Sequence, residues 1–187
     1  MNTGKRVQKG FTIIEVSLVL AIAGLIFLMT FVALPALQRQ SRNASRQEDI
    51  TALVTAIKKY QSNNRGALPG AVADSGAIAY DENSTANAST WAGFLRDYMD
   101  SGFVDPNTGE SYTLTVENCT ANSKDQPCTN ITDYINNSFE ANNYTIMVVK
   151  QAKCAGDEAR GAIMTSNLRK VAVLYRLEGS GLYCANS

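Results

Sequence analysis

The apolar residues of this chain fall into three patterns, and each predicts a different element. From Val16 to Leu37 the run is apolar throughout, interrupted only by Ser17 and Thr30 and by no ionisable residue. A helix of roughly 20 such residues, at 1.5 Å each, spans the hydrocarbon of a bilayer. Only a helix satisfies its own backbone there, so this run predicts a spanning helix. After Pro35 the pattern turns amphipathic without a break. Ile50, Leu53, Val54, Ile57 and Tyr60 share one helical face, while Arg42, Arg46, Glu48, Asp49, Lys58 and Lys59 take much of the rest. No Gly or Pro interrupts residues 36–65, so the same helix continues to about Asn63–Arg65 and is stopped by Gly66 and Leu68-Pro69-Gly70.

Residues 71–89 are small and polar and read as a loop. Trp91, Phe94, Leu95, Tyr98 and Met99 then fall at helical spacing, which predicts a short helix from about Thr90 to Asp100, capped by Ser89 or Thr90. Trp91 lies on its apolar face, the place of a core residue rather than of a ligand-stacking one. The third pattern is alternation or a short β-branched run, at Ser111–Val116, Tyr144–Val149, Val171–Leu177 and Leu182–Cys184. Val104-Asp105-Pro106-Asn107-Thr108-Gly109-Glu110 has the chemistry of a turn, and Glu178-Gly179-Ser180-Gly181 that of a hairpin loop. The expected architecture is α+β: one long N-terminal helix whose amphipathic half packs on a small, mostly antiparallel sheet of three to four strands.

At 187 residues the chain has room for one spanning segment and one soluble domain of ordinary size. Lys+Arg and Asp+Glu are 17 each, so the balance gives no basic footprint for nucleic acid. Histidine is absent, which removes the usual base for a Ser or Cys nucleophile. The adjacent acids Glu48-Asp49, Asp81-Glu82 and Asp157-Glu158 point in divergent directions on a regular element, which argues against a paired-carboxylate site. No phosphate loop or dinucleotide fingerprint is present. The loop after Asp105 fails the EF-hand pattern, with Gly109 at the fifth position and Glu110 at the sixth. These absences point away from an enzyme, a cofactor or a metal.

The four cysteines, Cys119, Cys128, Cys154 and Cys184, form no CxxC and do not suit a zinc site. Disulfides in an oxidising, extracytoplasmic compartment are the better reading. Of the three possible pairings, Cys119–Cys128 closes easily through a short polar loop with Pro127. Cys154 and Cys184 both end strands, which can bring them together across the sheet. The flanking charges do not orient the span by themselves: Lys5, Arg6 and Lys9 precede it, and Arg39, Arg42 and Arg46 follow it. Those three arginines read as a solvated helix face or, more pointedly, as partners for carboxylates on neighbouring copies.

One feature of the apolar run is out of place. Glu15 sits at its start, where a carboxylate near hydrocarbon is costly unless paired or neutralised. A plain signal anchor could hold Glu15 at the interface. A cleaved secretory signal, with Ala21-Ile22-Ala23 imitating its processing site, would leave an exposed apolar N-terminus from Gly24 to Leu37. Taken with the basic residues before it, however, the string Lys9-Gly10-Phe11-Thr12-Ile13-Ile14-Glu15-Val16 resembles the processing site of type IV prepilins and pseudopilins. The resemblance covers about the first third of the chain. It implies cleavage between Gly10 and Phe11 by a membrane-embedded prepilin peptidase, N-methylation of Phe11, and assembly into a helical filament of copies of the chain. Glu15 becomes the fifth residue of the mature chain, where it would meet the Phe11 amine of a neighbour and set the axial register.

The implied divisions are a leader at 1–10, a transmembrane and filament-core helix at 11–37, its amphipathic half at 38–65 and an α+β head at 66–187. Loss of the leader removes three positive charges and no negative one, leaving the mature chain near −3. The leader lies in the cytoplasm and the head outside. Two other readings remain: a pseudopilin or minor pilin of a secretion or DNA-uptake machine, and an anchored extracytoplasmic binding domain that never polymerises. The sequence departs from the family in one respect: Pro35 lies near the end of the apolar run rather than its middle.

Overall fold

A computed structural model describes residues 10–70, 78–99, 103–121, 123, 125–129, 131, 144–155, 163–179 and 181–187. Most of the expected leader, residues 71–77 of the expected loop at 71–89, and Asp157-Glu158 lie outside the described residues. The chain divides into two compact units, residues 1–41 and 42–187, and the helix α1 (Ile13–Asn63) contributes to both.

Residues 13–41 form the first unit's helix. Its large apolar side chains from Ile13 to Leu37 are exposed, Ile13 to 90%. The two polar interruptions are satisfied within the helix: Ser17 Oγ donates to the Ile14 carbonyl at 3.0 Å and Thr30 Oγ1 to that of Ile26 at 2.7 Å. Neither side chain therefore presents an unmet hydrogen bond to an apolar surrounding. Pro35 lies inside the helix and lacks the N–H that would bond back to Phe31.

The second unit is an α+β domain. Five strands form one sheet in the order β1-β2-β3-β6-β7: β1 (Ile78–Ala79), β2 (Thr113–Asn118), β3 (Thr145–Lys150), β6 (Val171–Arg176) and β7 (Leu182–Asn186). Between β3 and β6, β4 (Ala152–Cys154) and β5 (Ile163–Thr165) pair as a separate ribbon. The sheet thus has one or two strands more than the patterning predicts, and it is mixed. β2 and β3 run parallel, with Thr113 opposite Thr145 and Asn118 opposite Lys150, while every other pair is antiparallel. The segment between β2 and β3 is a crossover rather than a hairpin, and its polar sequence carries no signal of direction.

The central strands are apolar on both sides because both faces of the sheet are covered. Ile146 and Val148 of β3 and Val171, Val173 and Tyr175 of β6 join a core with α1 residues Ile50, Leu53, Ile57 and Tyr60. α2 (Trp91–Tyr98) adds Trp91, Phe94 and Leu95 to that core. The alternate residues Met147, Val149, Ala172 and Leu174 face a second cluster with Ile131, Ile163 and the cysteines. This is the period-two alternation of a sheet buried on both faces. Trp91 is 1% exposed, a core residue. α2 begins where Thr90 caps it, its side chain accepting from Gly93 N at 3.2 Å. Disulfides join Cys119 to Cys128, and Cys154 on β4 to Cys184 on β7.

Candidate assembly site

The start of α1 is built from four residues. Gly10, Phe11 and Thr12 precede the helix, and Thr12 caps it. The Thr12 backbone N–H donates to Glu15 Oε2 at 2.9 Å and its hydroxyl donates to the same oxygen at 2.8 Å. Glu15 N–H approaches Thr12 Oγ1 at 3.4 Å. Thr-x-x-Glu is the capping-box sequence, and here it serves the first turn reciprocally. The cost of Glu15 and its expected meeting with a neighbour's amine do not involve Thr12; the Thr12–Glu15 spacing in the sequence is the signal for this local orientation. The second carboxylate oxygen, Oε1, has no hydrogen-bond partner among the described residues. Phe11 is 89% exposed. No atom lies within 4 Å of where a Cβ on Gly10 would stand, so packing within the chain does not require glycine there.

A second polar constellation lies within the head unit, and it corrects the expectation for Arg42 and Arg46. Neither belongs to a free solvated face, and both have acidic partners in the same chain. Arg46 is 1% exposed and Asp105 wholly buried. Arg46 Nε donates to Asp105 Oδ2 at 2.7 Å, Nη2 to Oδ1 at 3.2 Å, and Nη1 reaches Glu178 Oε1 at 3.0 Å. Arg42 closes a bidentate pair on Glu178 at 2.7 and 2.6 Å. Asn43 and the Glu178 backbone exchange a reciprocal pair of hydrogen bonds at 3.2 and 2.9 Å. The helical period carries Arg46 onto the face of Ile50 and Leu53. Its partners arrive from a turn 59 residues later and a hairpin loop 136 residues after Arg42, distances at which periodicity is silent.

Asp105 also accepts from Tyr175 Oη at 3.0 Å and from the backbone amides of Asn107 and Thr108 at 2.9 and 3.1 Å. Both its oxygens are occupied by donors, which leaves no lone pair for a calcium ion at this turn. Burial pushes its pKa up, but the Arg46 guanidinium, the two amides and Tyr175 outweigh burial and hold it below the usual carboxylate range. The Arg42 hydrogen bonds, with Arg46, likewise depress Glu178 despite its partial burial. Asp49 goes the other way: burial raises it although Tyr112 Oη donates to Oδ2 at 3.0 Å. Among the described residues no cluster of three or more Cys, Asp or Glu could hold a metal.

Comparison with family models finds one match, over residues 5–31: the prokaryotic N-terminal methylation motif. The chain carries a type IV prepilin signal motif. Comparisons with curated proteins and with solved structures give no match. The prepilin motif covers the basic leader residues, Gly10, Phe11, Glu15 and the apolar run as far as Phe31. It is a motif of structural precursors and not of enzymes, and together with the apolar α1 it fits a membrane-anchored precursor. The capped turn at Thr12–Glu15 lies inside it. The match ends at Phe31, so the rest of α1 and the α+β unit lie outside it.

Proposed function

We propose that this chain is the structural subunit of a type IV pilus-like filament. A prepilin peptidase in the cytoplasmic membrane cuts between Gly10 and Phe11, and Phe11 is N-methylated. The chain then waits in the membrane by the helix at 11–37, with the amphipathic half at 38–65 and the head at 66–187 outside. Assembly machinery draws it into a filament on the cell surface, where the apolar helices of many copies bundle in the core. One observation carries this reading: the prepilin motif opens a helix whose large apolar side chains from Ile13 to Leu37 are left exposed. That surface calls for lipid first and for like helices afterwards, because apolar side chains outside both would face water.

Glu15 has the central part. Cleavage frees the Phe11 amine, with an ordinary pKa near ~8. Thr12 holds Oε2 of Glu15 and leaves Oε1 for the amine of a neighbouring copy. In a dry filament core an unpaired carboxylate or ammonium is costly, so pairing rewards one axial position and penalises others. Retention of Glu15 favours a subunit along the shaft. The runner-up, a pseudopilin or minor pilin of a secretion or DNA-uptake system, uses the same processing. The deciding experiment is N-terminal mass analysis of protein from sheared surface filaments. Methyl-Phe11 as the first residue is the expected result. An intact Met1, or a pool found only in the membrane, would favour an anchored domain that never polymerises.

A further inference from the structure

We propose that the heads of neighbouring copies meet through opposite charge, the acidic end of one head on the basic end of the next. The inference rests on the filament reading above and deepens it. The head has two ends, fixed by the way α1 lies along the sheet. Where α1 enters the head, Arg42 and Asn43 bond to Glu178, and Arg46 bonds to Asp105. Where α1 ends, Gln61 Nε2 donates to the Arg169 carbonyl at 2.7 Å. The helix from Arg46 to Gln61 sets these ends about 22 Å apart, at 1.5 Å per residue.

Charges left without an ion-pair partner are sorted between these ends. At the entry end, the exposed turn after Asp105 presents Glu110. The turn is held by the Asp105 carboxylate, which accepts from the amides of Asn107 and Thr108. Asp81 and Glu82 are exposed at the same end, because they follow Ala79, which pairs with Thr113 at the start of β2. Arg42 and Arg46 at this end are already bonded to Glu178 and Asp105. The far end is the reverse. Lys58 and Lys59 are exposed near the end of α1, and Arg65 is exposed just beyond it. The Arg169 guanidinium lies over Gly66, 3.2 Å from where a Cβ would stand. Neither set makes an ion pair among the described residues. Asp97 is bonded to Arg96 at 2.7 Å, and Glu117 and Lys150 stand on adjacent strands at the far end and offset each other.

The separation keeps the two ends from cancelling within one copy. At physiological salt the Debye length is about 8 Å, so exposed charges this far apart are largely screened from each other. A polyanion would suit the far end alone, and a polycation the entry end alone. A second copy pointing the same way suits both at once. Such a contact joins two different surfaces, so it need not close on itself and can repeat along a filament. Copies pointing opposite ways would bring acid on acid or cation on cation, which is unfavourable. Apolar contact between helices is non-directional; the charged ends add a preference for heads that point the same way. One exposed pair contributes little, so the effect belongs to the set.

The test reverses each end at exposed side chains that make no ion pair among the described residues. Sheared surface filaments are measured against total subunit for four chains: wild type, Lys59→Glu with Arg65→Glu, Glu82→Lys with Glu110→Lys, and all four changes together. Each double reversal is expected to lower filament yield at least fivefold, with the thermal midpoint of the detergent-solubilised full-length chain unchanged. The quadruple variant, in which the ends are complementary again, should recover to within twofold of wild type. A folding defect would not be repaired in this way. Full yield from either double reversal, or a quadruple variant as poor as the doubles, overturns this proposal while wild-type filaments leave the function reading intact. A wild type that forms no filaments overturns that reading, and this proposal with it.

Discussion

The two halves of α1 satisfy their polar groups in opposite ways. In residues 13–37 every polar side-chain contact described is local: Thr12 with Glu15, Ser17 with Ile14, Thr30 with Ile26. None reaches beyond four residues, and the apolar side chains are left uncovered. In residues 42–63 the decisive contacts are remote, from Arg46 to Asp105 and from Arg42 and Asn43 to Glu178. A helix segment whose needs are met within itself can exchange one apolar surrounding for another at little polar cost. A segment bonded to distant turns keeps its neighbours. One helix thus combines a surface free to change partners with a fixed attachment for a head.

The strongest way to break that contrast is to remove the remote contact. Asp105→Ala leaves the Arg46 guanidinium buried without its main partner and should destabilise the head by ~3–5 kcal/mol, read by chemical denaturation. Membrane insertion through residues 13–37 should be unchanged. Arg46→Met with Asp105→Leu should cost clearly less than the single change, because no uncompensated buried charge remains. A double variant as unstable as Asp105→Ala would show that the pair specifies the structure by more than charge compensation.

Next in size are the disulfides, which the helix segment at 13–41 lacks altogether. Replacing Cys154 and Cys184 together with Ala should lower head stability by ~2–4 kcal/mol. The same change at Cys119 and Cys128 should cost about 1 kcal/mol less on loop length alone, since the sequence separations are 30 and 9. Denaturation midpoints of the two variants make the comparison.

A smaller effect is expected from acid. Asp105 and Glu178 have folded pKa values below their unfolded ones, so their contribution is present above the ordinary carboxylate range and lost as pH falls through the depressed values. Asp49 is raised and has the opposite sign: its contribution is present in acid and lost as pH rises through its folded value. The head's denaturation midpoint should therefore fall below about pH 4. Asp49→Asn should leave the neutral midpoint equal or slightly higher, because a partly buried charge is removed and an acceptor for Tyr112 is kept.

Much of this architecture was legible in the sequence. The two apolar periods of α1, the spacing from Trp91 to Tyr98 and the β-branched runs at Tyr144–Val149 and Val171–Leu177 all correspond to observed elements. Their signals are local and repeat within a few residues. β1, β4 and β5 have two or three residues each, too few to show any period. The parallel β2–β3 pair was hidden because strand direction depends on the crossover and not on the strands. Arg46 illustrates the same limit at a side chain. Its own helix gives the position, but only Asp105, in a turn remote along the chain, explains why a cation stands among Ile50 and Leu53.

The smallest effect, and a test of the local half, is Thr12→Val. It keeps the shape of the side chain but removes the hydroxyl that holds Glu15 Oε2 and caps α1. Head stability should not change, and surface filament yield should fall partially. An undiminished yield would show that Glu15 needs no orientation by Thr12.

The most direct measurement is the filament yield of Glu15→Ala at wild-type subunit levels. Loss of this acid leaves the local contacts of the head untouched, so head stability, cleavage after Gly10 and membrane insertion should all be normal. Surface filaments should be lost almost completely, with Glu15→Asp intermediate. Normal filaments from Glu15→Ala would contradict the account, because the free carboxylate oxygen at the start of α1 would then have no part in joining one copy to the next.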